Sequence, residues 1–405
     1  MIARLSGGRR EPASREDTMD FGEPEHIGML RESIRRMLER HAPREQMAKW
    51  DAADHVPRAL MDKINELGVC GLTVPEEFGG TGRDILATMV TVEELSRRSM
   101  VIGTLYLMNA CYGSMNILAS GSDEQKLRLL PRLAKGEILF AYGLSEPDVG
   151  ADLASVTTRA ERRGDKVIIN GNKRWCSGAE IADYIYALVR TGESGARYKN
   201  LSLVLIPPTA KGVALTHSPA IGARGLNTND VSLDNVEISI DDVVGGEAGW
   251  NEGWSKLAGP ALEVEKLEVA AMALGIATQA VEDAWEYSQQ RRQFGQRICA
   301  IQSIRHMLAD AQTKLASARL MLYRGCWLAD NNLPCSVETS MAKMFVCETG
   351  LDIVLTCQKV MGAYGYARGF DMERHVRDML LMPIIGGSTA IQKNNIANRM
   401  GLPKA

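Results

Sequence analysis

Three stretches of the chain carry residue types and spacings that could do chemistry. In Trp175-Cys176-Ser177-Gly178 an indole and a hydroxyl stand two residues apart on one face of a strand, able to pack a flat heterocycle and hydrogen-bond its edge. In Ile385-Gly386-Gly387-Ser388-Thr389-Ala390-Ile391-Gln392 a loop feeds a helix whose first turn offers free N–H groups and two hydroxyls, the makings of an anion site. In Leu262-Glu263-Val264-Glu265-Lys266-Leu267-Glu268 three carboxylates share one helix. A carboxylate held away from water can serve as a general base; the same residues on a wet helix face are simply good helix formers.

The elements that must position these groups are legible in the apolar pattern. From about Glu25 to Gly136 the spacing is helical, in Glu25–His41, Pro57–Leu67, Ile85–Arg97, Met100–Ala119 and Asp123–Lys135. Ser122 and Gln125 read as a capping box opening the last of these, and the loop Val74–Gly82 cannot continue a helix. From about Ala141 to Val244 the period is two, with strands at Val156–Ala160, Lys166–Ile169, Tyr184–Val189, Leu201–Ile206, Val213–Thr216 and Val231–Leu233. A hairpin is expected at Arg163-Gly164-Asp165 and a second turn at Asn170-Gly171. After Trp254 the helical period returns in long runs, Pro260–Gln289, Ile301–Ala329 and Val337–Val360, the first opening at Pro260. The expectation is a multidomain α/β/α chain. Residues 1–18 form a disordered extension, 19–140 an N-terminal helical domain, 141–245 a small β-barrel or sandwich, and 246–405 a C-terminal four-helix bundle.

Composition narrows the function. The chain has 405 residues, 45% of them apolar, with a formal charge of −3, which argues against nucleic acid or an anionic membrane as the main partner. No apolar run reaches the roughly 18–20 residues of a membrane span. Eight cysteines form no C-x-x-C pair and six histidines no metal pattern, so no metal site is expected. G-x-G-x-x-G, P-loop and H-E-x-x-H motifs are absent. Glu11, Glu16 and Asp17 fit a transit peptide poorly, Met19 is a plausible true start, and the protein reads as soluble and intracellular.

Four motifs in this order resemble the acyl-CoA dehydrogenase family, over about Glu25 to Leu402. Tyr142-Gly143-Leu144-Ser145-Glu146-Pro147 fits aromatic-x-x-[ST]-E-P, and Asn170–Ser177 fits N-G-x-K-x-W-I-[ST]. Arg291-Arg292-Gln293-Phe294-Gly295, where a long helix is expected to stop at Gly295, fits R-x-x-F-G. Gln358-Lys359-Val360-Met361-Gly362-Ala363-Tyr364-Gly365-Tyr366, with Met372–Asp378 behind it, is similar to Q-x-x-G-G-x-G-[FY] followed by R-x-x-R-D. There Lys359 takes the Gln register with Gln358 one place early, and Ala363 replaces the second Gly.

The resemblance implies FAD, with Tyr142, Leu144, Ser145, Trp175, Ser177 and Ser388 near the flavin. Arg291, Phe294, Gln302, Gln358, Lys359 and Gly362 would serve the dinucleotide, Arg291 and Phe294 that of a neighbouring subunit. An Arg fork suits pyrophosphate, although an Arg at a helix end ordinarily just favours the dipole. The resemblance also implies a homotetramer (a dimer of dimers) and an electron-transfer flavoprotein as oxidant. It places the protein in the cytoplasm, or in the mitochondrial matrix of a eukaryote. Arg377-Asp378 reads as an internal ion pair.

The central departure is Gly386, where most of the family has the Glu that removes the substrate's α-proton. Isovaleryl-CoA and long-chain members carry that Glu on the first long C-terminal helix, and Glu265 falls on the matching position; the nearest flavour of the resemblance is to bacterial members similar to crotonobetainyl-CoA reductase. Glycine keeps the backbone N–H that meets the thioester carbonyl, so the oxyanion contact can survive without the side chain. Lys266 replaces an Arg, Ala151 a Ser near the CoA, and Ala390 a flavin-contacting Gln; Ala151, Lys266 and Gly387 are the expected substrate contacts. Tyr106, Met108 and Tyr112 hint at a short or branched acyl group, though core packing explains them equally well.

The reading is an FAD-dependent dehydrogenase making trans-2-enoyl-CoA from an acyl-CoA. One rival is a family offshoot: an enoyl-CoA reductase, a sulfinate-releasing enzyme or a flavin monooxygenase. The other is a catalytically silent flavin- or acyl-CoA-binding protein.

Overall fold

The computed structural model describes residues 22–193 and 195–403; the expected extension over residues 1–18 lies outside them. Seven α-helices come first: α1 (Glu25–His41), α2 (Arg44–Ala53), α3 (Leu60–Asn65), α4 (Ile85–Arg98), α5 (Met100–Asn109), α6 (Asn116–Ser120) and α7 (Asp123–Ala134). The run expected as one helix from Met100 is broken by a π turn at Ala110–Met115, between α5 and α6. Such turns often mark functional sites because the extra residue re-aims its neighbours.

The capping box at α7 is present and does more than cap. Gln125 exchanges bonds with Ser122 and also donates its amide to the Val243 carbonyl at 2.8 Å, tying the helices to the end of the sheet region.

Seven strands form one mixed sheet, which is how the expected barrel or sandwich is realised. They are β1 (Phe140–Gly143), β2 (Arg159–Arg163), β3 (Lys166–Ser177), β4 (Tyr184–Arg190), β5 (Leu201–Ile206), β6 (Val213–His217) and β7 (Thr228–Ser239). The order is β1-β4-β2-β3-β7-β6, with β5 on β4, and β1 runs parallel to β4 with Tyr142 opposite Tyr186. The β2–β3 hairpin closes at Gly164-Asp165. The turn expected at Asn170-Gly171 is instead continuous β3, standing opposite a bulge in β7 at Asp234-Asn235. Gly171 takes φ +144° there, and a β-carbon on it would lie 2.7 Å from the Thr158 backbone, so glycine lets the strand pass rather than end.

The C-terminal helices are α8 (Gly253–Leu257), α9 (Pro260–Gln290), α10 (Gln302–Asp330), α11 (Ser336–Met361), α12 (Met372–Met379) and α13 (Thr389–Arg399). Helix α9 packs against α4, α10 and α11 and is buried along most of its length. It ends at Gln290, not Gly295. Residues 292–297 form a two-stranded hairpin, β8 (Arg292–Gln293) with β9 (Gln296–Arg297), because Phe294 and Gly295 both adopt positive φ (+51° and +77°).

Charged groups join the layers. On α1, Arg31 reaches Glu94 at 2.6 Å and Glu93 at 2.9 Å on α4, and Arg319 of α10 meets Glu93 at 2.9 Å. The expected Arg377–Asp378 ion pair does not form. Neighbours on a helix point about 100° apart, so Arg377 binds Asp51 and Glu373 while Asp378 accepts the Ala223 N–H at 2.8 Å. Among the described residues no group of His, Cys, Asp and Glu is arranged for a metal ion, and no helix is long and apolar enough to cross a membrane.

Candidate active site

The corner after β1 is fixed by an ion pair inside the protein. Lys173 of β3 meets Glu146 at 2.9 Å with both side chains almost wholly enclosed, and Glu146 also accepts the N–H groups of Thr157 and Thr158. Burial alone would raise the Glu146 carboxyl; Lys173 and these donors hold it at about 2. The Ser145 carbonyl then accepts the Arg174 N–H at 2.9 Å, which sets the Tyr142–Ser145 segment beside Trp175.

At Trp175 the β3–β7 ladder slips by a second bulge, and Trp175 takes φ +64°. The indole is 56% exposed, with the Arg174 guanidinium 4.4 Å from its ring centre. Two residues on, the Ser177 hydroxyl lies 3.0 Å from that of Thr228 on β7. A large apolar ring left open beside a hydroxyl pair is a surface suited to a flat ligand.

The loop between α12 and α13 carries the next group of residues. Gly386 and Gly387 have φ of +59° and +76°, a conformation glycine adopts without strain. The enclosed Gln392 amide donates to the carbonyls of both, at 3.1 and 3.0 Å. With the carbonyls taken, no acceptor among the described residues takes the Gly386 N–H. A β-carbon on Gly386 would stand 2.7 Å from Val269, one helical turn beyond Glu265 on α9.

Glu265 keeps some exposure, yet its carboxyl is surrounded by protein and has no hydrogen-bonded or ion-paired partner among the described residues. Burial pushes it up to about 7, against a smaller downward pull from Lys266. Glu268, 3% exposed, is pushed up to about 8 by burial and by the charge of Glu265, with the Cys111 thiol opposing. The three glutamates therefore do not form a wet patch. Glu263 faces α11, binding Lys266 at 2.6 Å and Thr339 at 2.8 Å. The Lys266 ammonium, expected at the substrate, pairs with Glu263 within α9.

Tyr112, from the π turn, stacks on Tyr142 with ring centres 4.0 Å apart, and the Tyr142 oxygen accepts the Asn116 amide at 2.7 Å. Both rings feel the charge of Glu265. Tyr106 and Met108 belong to the core: the Tyr106 hydroxyl donates to the Val69 carbonyl, and Met108 packs on Gly178.

A second group of expected residues gathers elsewhere. Arg291 lies 5.3 Å from the Tyr364 ring, which brings the hairpin carrying Phe294 to the turn Gly362–Gly365 that follows Gln358 and Lys359. Phe294 is 92% exposed, Gln302 and Lys359 are exposed, and Gln358 reaches the Gly365 carbonyl. Among the described residues no hydrogen bond, ion pair or ring contact joins this group to Trp175, Glu265 or Gly386. Ser388 stands just before α13, and Ala151 and Gly387 are exposed. The sequence offered no signal for Thr228, Cys111 or the clamping role of Gln392, because each acts on a residue from a distant segment or through a fold that only tertiary packing defines.

This arrangement coincides with family-level similarity along the whole chain. Profiles of the acyl-CoA dehydrogenase N-terminal, middle and C-terminal domains match residues 24–137, 141–236 and 251–401. The chain belongs to the acyl-CoA dehydrogenase family. It is 34% identical to the 3-(aryl)acrylate reductase of Clostridium sporogenes (strain ATCC 15579), over 91% of this chain and 98% of that one. It is 32% identical to the acyl-CoA dehydrogenase of Bacillus subtilis (strain 168), over 90% and 95%. A structure solved in work on the electron transferring flavoprotein of Acidaminococcus fermentans and flavin-based electron bifurcation superposes with a TM-score of 0.90. It shares 28% identity and covers 95% of this chain and all of that one. Acyl-CoA dehydrogenase family members are oxidoreductases that bind FAD. The residues here suit such a group: an open indole with a hydroxyl pair beside it, and, on the loop before α13, a Gly386 N–H that no acceptor among the described residues takes.

Proposed function

We propose that this chain is an FAD-dependent acyl-CoA dehydrogenase that converts an acyl-CoA thioester to its trans-2-enoyl-CoA, with Glu265 as the base. The observation that carries the reading is a carboxylate with no hydrogen-bonded or ion-paired partner among the described residues, raised by burial and set one helical turn from the residue that touches Gly386. Trp175, Ser177, Thr228 and the Tyr142–Ser145 corner would hold the flavin. Arg291, Phe294, Gln302, Gln358, Lys359 and Gly362 would hold the dinucleotide across a subunit contact in a homotetramer. Bound FAD supplies the two-electron acceptor for the hydride leaving the β-carbon.

The protein's own residues handle the proton and the charge. The Gly386 N–H donates to the thioester oxygen, which gains negative charge as the α-carbon is deprotonated. Glu265 takes that proton on its carboxylate. Its raised proton affinity suits a base working near neutrality, and the enclosure that raises it also excludes water. An acyl-CoA enters as substrate and an electron-transfer flavoprotein removes the electrons afterwards.

The relative named as a reductase favours a second reading with the same residues. In that direction a protonated Glu265 delivers its proton to the α-carbon of an enoyl thioester. The test is Glu265→Gln: anaerobic flavin bleaching across a panel of acyl-CoA esters should vanish while flavin stays bound. Bleaching at the normal rate would overturn the assignment, and preferential oxidation of the reduced enzyme by enoyl-CoA esters would select the reductive direction.

A further inference from the structure

The chemistry just described leaves one buried lysine without a task. Lys343 lies on α11, which packs along α12 and α13, and the residue is wholly enclosed. No carboxylate pairs with it among the described residues; its ammonium donates to the Pro383 carbonyl at 3.3 Å. Glu348, further along α11, accepts the Thr389 hydroxyl at 2.5 Å instead. An enclosed ammonium with no counter-charge weakens a fold more readily than it supports it.

The carbonyl that Lys343 meets closes the glycine loop. Pro383 also accepts the Thr389 N–H, at 3.0 Å, where α13 begins. That bond draws residues 384–388 into a loop holding Gly386 and Gly387, whose carbonyls Gln392 clamps at 3.1 and 3.0 Å. Both lone pairs of the Pro383 carbonyl are thus taken, which fixes the plane of its peptide as one donor could not. Lys343 grips the base of the loop and Gln392 its tip. Two adjacent glycines at positive φ have wide conformational freedom, so this loop depends on such anchors.

We infer, resting on the contact between the Gly386 N–H and the thioester oxygen, that Lys343 is a positioning residue: from the base of the loop it aims that N–H. A backbone donor acts on developing charge only if it is aimed beforehand, and a shift of about 1 Å can cost on the order of 100-fold in rate.

The test compares the flavin-loaded protein with Lys343→Met, which keeps the bulk of the side chain and removes its donor and charge. An enoyl-CoA isotopically labelled at the thioester carbonyl is bound to each, and the carbonyl stretch is read by infrared difference spectroscopy. The unaltered protein should lower the stretch relative to the free thioester, and Lys343→Met should lower it less. The limiting rate of anaerobic flavin reduction by acyl-CoA should fall about 10–100-fold, with half-saturation changed far less. The melting temperature should hold or rise, since an apolar chain replaces an enclosed cation. A stretch and rate unchanged in Lys343→Met overturn the inference, as does a lower melting temperature with the stretch unmoved. Lys343→Gln, which keeps a neutral donor, should give an intermediate stretch and carries the comparison if the Met variant misfolds; an unmoved stretch there overturns the inference too. Failure of the underlying contact looks different: the unaltered protein would itself leave the stretch at its free value. Failure of the Glu265 assignment shows only as normal bleaching by Glu265→Gln.

Discussion

The Val269 side chain stands 2.7 Å from the point where a side chain on Gly386 would begin. Helix α9 therefore occupies the space a carboxylate at 386 would need, and the same helix offers Glu265 one turn earlier. The two ways of supplying a base exclude each other sterically here. Gly386→Ala should cost about 1–3 kcal/mol, from a strained left-handed backbone and the Val269 contact. Thermal unfolding would show it, with partial recovery in Gly386→Ala/Val269→Ala. A wild-type melting temperature for the single variant would refute the steric argument.

Moving the base should fail for the same reason. Glu265→Gln alone should lower the anaerobic reduction rate by about 10²–10⁴-fold, and adding Gly386→Glu should restore none of it. Recovery of the rate in the double variant would show that the loop can yield.

The raised Glu265 acid also has a sign for pH dependence. Its folded affinity (about 7) exceeds the ordinary value of 4.5, so the native state binds the extra proton between those limits. Stability should fall as pH rises through that window, and the substrate-driven rate should rise toward its plateau above about 7. Glu265→Gln should remove the stability penalty, a gain of up to about 3 kcal/mol at alkaline pH, read by denaturant midpoints at two pH values. An equal midpoint difference at both would contradict the shift.

The Glu146–Lys173 pair works in the opposite sense. Glu146 is held at about 2, so its contribution is complete above 4.5 and is lost as pH falls through 2. Lys173→Met would strand the carboxylate in the interior and should cost about 3–5 kcal/mol. Flavin retention should fall with it, because the Trp175 bulge hangs on this corner. Chemical denaturation with flavin absorbance would reveal both effects, and a fully loaded, equally stable variant would show that the corner holds itself.

Phe294 tests what lies beyond one chain. At 92% exposure its loss should change the folding stability of one chain by no more than about 0.5 kcal/mol. Phe294→Ser should nonetheless lower flavin content and shift the protein toward smaller assemblies in sedimentation. Unchanged assembly and flavin content would remove Phe294 from the proposed site.

Long, strongly periodic segments were readable without coordinates. Glu25–His41 and Leu201–Ile206 form where the apolar spacing puts them, and the three long C-terminal helices agree to within about a residue or two at each end. The helix Arg44–Ala53 was not read, because it buries only Met47 and presents no apolar stripe. The bulges opposite Gly171 and at Trp175 have no pattern of their own; they arise from how β3 must pass Thr158 and meet β7. Glu263, Glu265 and Glu268 are indistinguishable as letters. Only the partners brought by other segments make one an interhelical anchor and leave the other two enclosed, with no ion pair among the described residues.

The π turn at Ala110–Met115 holds one residue more than regular winding would need. Excising a single residue there would let the run from Met100 to Ser120 close into ordinary helix, turning its two halves by about 100° against each other. Cys111 and Tyr112 would then swing away from the carboxylates although every remaining letter was kept. What aims them is a phase offset in the chain, so length at this point is under as much constraint as residue identity.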